Sequence, residues 1–165
     1  MTIFKYLSPN RVVGFLLPIV MVCLSLTEAR GQARDFGLGV ILGEPTGISA
    51  KNWINRTTAF DFAVAWSFEG EDSFTFHADY LIHRFDIFNM ETGTLPLYYG
   101  FGGRLKFEEN DSSLGARFPI GLNYHFQDAT LDMFLEIVPV MQLVPETDFK
   151  MNGAIGVRYF FESPF

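Results

Sequence analysis

The 165-residue chain has a single cysteine, Cys23, which excludes a disulfide framework and a cysteine-based metal site. It is also poor in cations: 12 Lys and Arg stand against 19 Asp and Glu, a net charge of −7, so a basic nucleic-acid-binding surface is excluded. Charge of either sign is scarce, at 19% of the chain, against about 25% in soluble domains. One apolar run, Val12–Leu26, reaches 15 residues, and no later run approaches the roughly 20 needed to span a bilayer as a helix. What the chain does have is aromatic side chains, 16% of its residues and 19 of them Phe. So much apolar surface with so little charge has to face something other than water.

The N-terminus reads as an address. Lys5 and Arg11 precede Val12–Leu26, and small residues follow at Ala29, Gly31 and Ala33, the order of a secretory signal peptide. Residues 1–33 are therefore expected to be a signal peptide cleaved after Ala29 or Ala33, with Thr27 or Gly31 as the small residue two positions earlier. Cys23 lies within the apolar run behind Val22, so it belongs to the leader and does not mark a lipid anchor. Residues 34–165 form one mature domain.

Turn-forming clusters cut that domain into eight expected strands, at 36–43, 47–54, 59–68, 73–83, 95–107, 114–126, 131–143 and 149–161. Every second residue, taken in one phase through all eight, gives 46 positions with no Asp, Glu, Lys, Arg or His, and seventeen of these are aromatic. The other phase carries Lys51, Asp61, Asp79, Arg104, Lys106, Arg117, Asp132, Glu136, Lys150 and Arg158, together with His77, His83 and His125 and many glycines and alanines. An eight-stranded barrel is only just wide enough to be filled by side chains, so the aromatic phase does not fit inside. Turned outward into lipid it fits, and its lack of charge is what a hydrocarbon environment demands. The fold class expected is all-β, an eight-stranded antiparallel transmembrane up-and-down β-barrel in the bacterial outer membrane. Pro96, Pro119 and Pro139 fall within the expected strands and are read as bulge or strand-end positions.

With both ends of the mature chain in the periplasm, the outward connections hold nine acidic residues and no Lys or Arg: Glu44, Glu69, Glu71, Asp72, Glu108, Glu109, Asp111, Glu146 and Asp148. Wet polar caps explain them simply, and the functional alternative is that they bind divalent cations bridging lipopolysaccharide phosphates, or a basic extracellular protein partner. The run EENDSS at 108–113 lacks the ordered ligand spacing of a calcium loop, so no metal or cofactor is expected.

A search for chemistry finds His77 and Asp79, with His83 in the same phase, facing the same interior as Arg104, Arg117, Asp132 and Glu136. Paired charges plugging the interior account for this set without catalysis. Ser73 is four residues from His77, and the pair Ser112 and Ser113 has no neighbouring His, so no catalytic dyad or triad is read. GFGG at 100–103 lies inside a strand and makes room for large neighbours, which excludes a phosphate loop.

Six segments together, GLGVILGEPTGISAKNW (37–53), FHADYLIH (76–83), LPLYYGFGGRLK (95–106), LGARFPIGLNY (114–124), FLEIVPV (134–140) and GAIGVRYFF (153–161), resemble an uncharacterised family of small bacterial outer-membrane β-barrels, similar in general shape to the OmpA and OmpX barrels. The resemblance implies location and architecture and carries no site residues. The sequence is thus expected to encode a monomeric outer-membrane protein with a plugged polar lumen and a structural or surface-interaction role. Its expected partners are outer-membrane lipids, lipopolysaccharide and the barrel assembly machinery. A narrow pore for small solutes is the alternative, and a lipid A-modifying enzyme stands behind that. Lys150 and Arg158 are expected to pair in the interior with acids on neighbouring strands, and either Phe161 or Phe165 to serve as the terminal assembly aromatic.

Overall fold

The computed structural model describes residues 36–44, 46–67, 73–108 and 112–161, all within the unit Arg34–Phe165. The expected signal peptide, most of the acidic residues in the connections at 68–72 and 109–111, and the terminal Phe165 lie outside the described residues.

The described residues form nine antiparallel strands: β1 (Phe36–Gly43), β2 (Gly47–Trp53), β3 (Thr58–Ser67), β4 (Ser73–Arg84), β5 (Leu97–Glu108), β6 (Ser112–Arg117), β7 (Ile120–His125), β8 (Leu131–Val144) and β9 (Asp148–Phe160). Strands β1 to β5 and β8 to β9 pair in sequence order, β6 and β7 each pair with both β5 and β8, and β1 also pairs with β9, Gly37 opposite Phe160 through Gly43 opposite Ala154, so the sheet closes into a ring. At Gly43 the chain turns with φ +127°, where any Cβ would strike the backbone of Gly153 and Ala154.

The count of nine corrects the expectation of eight. The expected sixth strand, 114–126, is broken at Phe118 and Pro119 into β6 and β7, and both pieces occupy the same place between β5 and β8. The break has a local cause. The Gly100 amide donates to the Pro119 carbonyl at 2.9 Å and the Phe118 amide to the Pro139 carbonyl at 3.0 Å. An antiparallel pair would return a bond each time, but neither proline has an N–H to give. One bond is lost on each side of the same two residues. Pro96 does stand just outside β5, as expected, whereas Pro139 remains inside β8 opposite Met151. There its missing donor points toward Phe118, so the β8–β9 ladder is unaffected. The irregularity in β8 lies further on, where the register with β6 shifts between Leu114 and Gly115.

The alternation read from the sequence is realised as two faces. No described residue of the uncharged phase is buried; Phe101, Ile137 and Phe149 are about 60% exposed, at 61%, 59% and 61%. The charged phase turns inward, with Lys51, His77, Arg117, Asp132 and Arg158 all at 1% exposure or less. Interior glycines make this possible. A Cβ at Gly156 would collide with the Phe134 ring, and one at Gly121 would sit 2.5 Å from the Tyr98 ring.

Candidate functional site in the ring interior

The interior holds two groups of polar side chains. In the middle of the ring, Arg158 reaches from β9 across to Asp61 on β3, and its Nε lies 3.7 Å from Asp132 on β8. Arg117 from β6 donates through Nε to Asp79 on β4 at 3.1 and 3.2 Å, and its Nη2 lies 3.5 Å from Glu136 on β8. Tyr98 on β5 donates its hydroxyl to the other Glu136 oxygen at 2.8 Å. The Arg158 guanidinium also rests on the Phe134 ring, 3.9 Å from its centroid. Two guanidinium groups thus meet four carboxylates, three of them through hydrogen bonds and Asp132 through charge alone, so the buried charges are not left single.

Toward the end where Phe36 and Phe161 lie, the second group is built differently. Lys51 bonds His83 Nε2 and donates to Asn123 Oδ1, both at 2.8 Å, and its ammonium stands 4.6 Å from the Trp53 ring centroid and 5.5 Å from that of Tyr98. His125 Nε2 shares the same Asn123 oxygen at 2.9 Å. Trp53 packs on His83 with centroids 4.3 Å apart and meets His125 edge-on at 5.7 Å, while Phe85 leans in from beyond β4, 5.8 Å from His125. With Ala59 and Phe160, these rings close this end of the interior.

The structure brings some expected residues together and separates others. His77 and Asp79 are adjacent, Nε2 to Oδ2 at 3.8 Å, but His83 belongs to the Lys51 group. Neither ring nitrogen of His77 has a hydrogen-bond partner among the described residues. Arg158 meets Asp132 on the neighbouring strand β8, as expected, but its hydrogen-bonded partner is Asp61 on β3, across the interior. Lys150 does not pair in the interior: it sits half-exposed at the acidic end, 3.8 Å from Asp148. Only its parity in the strand placed it inside; the strand outruns the interior there. Lys51 also departs from the expectation of an acidic partner, since it bonds neutral groups. Tyr98, Asn123, Trp53 and Phe134 are interior residues that a search for charge passes over, although all four fall in the inward phase.

No protein-family model matches the chain, and no curated protein does. Among solved structures the chain is similar to the crystal structure of the N-terminal β-barrel domain of Pseudomonas aeruginosa OprF, with 12% identity and a TM-score of 0.49 over 77% of this chain and 96% of that one.

Proposed function

We propose that this chain is an integral outer-membrane β-barrel protein, a single barrel of eight staves in which β6 and β7 form one stave, with a plugged lumen and a structural or surface-interaction role without catalysis. The observation that carries the reading is the inverted polarity of the wall. A ring in water would hide its uncharged, largely aromatic and aliphatic face; here that face is outside and most of the guanidinium, carboxylate and ammonium groups of the strands are inside, with a minority of rings. The outer face also carries aromatic collars, with Phe36, Tyr99, Tyr124, Phe126, Tyr159 and Phe161 toward the terminal end and Trp66, Phe74, Phe107 and Phe149 toward the acidic end. Aromatic girdles of this kind flank the apolar band of transmembrane barrels.

Interior packing supports a plug over a pore, because the ion pairs and the Trp53 group fill the cross-section from both sides. The acidic end, where Glu44, Glu146 and Asp148 are exposed, would face outward and meet lipopolysaccharide or a basic partner.

Leu135, 57% exposed in the middle of β8, tests the membrane reading. Leu135→Arg should cost roughly 2 to 4 kcal/mol and cut the heat-modifiable, membrane-extracted form if the residue faces hydrocarbon. A water-facing site would take the change within about 0.5 kcal/mol, and that result would sink the proposal. In planar bilayers the purified protein should give no stable conductance steps, and reproducible steps would favour the narrow pore.

A further inference from the structure

The connection between β4 and β5, residues 85–96, is the longest between strands and is unlike the others at its end of the ring. Its first residue, Phe85, packs inward on the interior rings, whereas Ile87, Phe88 and Met90 point out, 46%, 41% and 47% exposed. These three belong to no strand, so the alternation of the wall does not account for their exposure. The segment that follows them is firmly held. The Tyr124 hydroxyl, on the outer face, donates to the Thr92 carbonyl at 3.2 Å; Thr94 and His125 exchange backbone bonds at 3.1 and 2.8 Å; and the Asn123 amide donates to the Pro96 carbonyl at 3.0 Å. The apolar trio therefore directly precedes a segment anchored to the outer-face residue Tyr124. Charge on the connection is limited to Asp86, which is neutralised by Arg84 at 2.6 Å, and Glu91.

We infer that this connection is a membrane foot: Ile87, Phe88 and Met90 insert into the lipid interface of the leaflet at the terminal end, extending the barrel's apolar surface sideways beyond the strands. The inference rests on the membrane-barrel reading above, and its occupant is phospholipid because the connection is tied to the outer-face collar through Tyr124 and its exposed side chains are aliphatic and aromatic with scarcely any charge. An anchor of this kind would fix the depth of the barrel and its tilt relative to the bilayer plane.

Spin labels on single cysteines in a Cys23→Ser background test it, in vesicles of phosphatidylethanolamine and phosphatidylglycerol. Labels at Phe88→Cys and Met90→Cys should be several-fold more accessible to oxygen than to a water-soluble nickel chelate, relative to a label at Arg56→Cys on the exposed turn between β2 and β3. Labels at 88 and 90 that match the Arg56 label would overturn the foot. Phe101→Cys, on the wall itself, separates the two failures: an oxygen-rich label there alongside water-like labels at 88 and 90 rejects the foot alone, while water-like labels at all three sites reject the barrel in the membrane as well.

Discussion

Arg158 and Lys51 are both fully buried inside one ring, and they keep different company. Arg158 is held by Asp61 and Asp132 and by the face of Phe134. Among the described residues Lys51 makes no hydrogen bond to a carboxylate; its ammonium is met by a histidine nitrogen, an amide oxygen and two aromatic faces. The guanidinium presents a planar fork that can serve two carboxylates from different strands, whereas the ammonium is a compact donor suited to single acceptors and π faces. The two arrangements therefore fail differently. Removing the middle cation strands two anions, while removing the terminal one strands only neutral groups.

The largest effect should come from Arg158→Met, which leaves Asp61 and Asp132 buried without their cation. Breaking a buried pair this way costs about 3 to 5 kcal/mol, read as a fall in the urea midpoint of the protein in micelles, with m unchanged. Lys51→Met should cost less, about 1 to 3 kcal/mol for the lost charged hydrogen bonds, because the chain volume is kept and Asn123 Oδ1 retains His125 Nε2 at 2.9 Å. Equal losses from the two substitutions would break the distinction between the groups.

Much of this architecture was legible because a β wall has period two, so parity alone assigns a face. Parity placed Lys51, Asp79, Arg117 and Arg158 inside before any contact was known. It could not say who partners whom. That Arg158 meets Asp61, nearly a hundred residues away in sequence, follows from closure of β1 on β9 and the shear of the ring. Nor could parity say where the interior stops, so Lys150 was placed inside while it lies at the rim. The division of the sixth strand has a visible cue, since Pro119 and Pro139 both fall within expected strands, but the break depends on their facing the same two residues, which requires the register. The apolar trio of the 85–96 connection was hidden for a different reason: outside the strands there is no period to read.

The smallest effect concerns the same chemistry moved into water. Arg84 holds Asp86 through two hydrogen bonds, 2.8 and 2.6 Å, and this pushes the Asp86 carboxyl down to about 2. Its folded value thus lies below the unfolded one of about 3.9. The stabilisation is present above the unfolded value and is lost as pH falls through the folded one, so any contribution should fade between about 4 and about 2. Both side chains are exposed and solvent-screened, so the effect on the urea midpoint should be far smaller than that of Arg158→Met. Asp86→Asn should flatten the pH dependence in that window and leave the midpoint near neutral pH almost unchanged. An effect near neutral pH comparable to that of Arg158→Met would mean that burial is not what separates the interior pairs from this one.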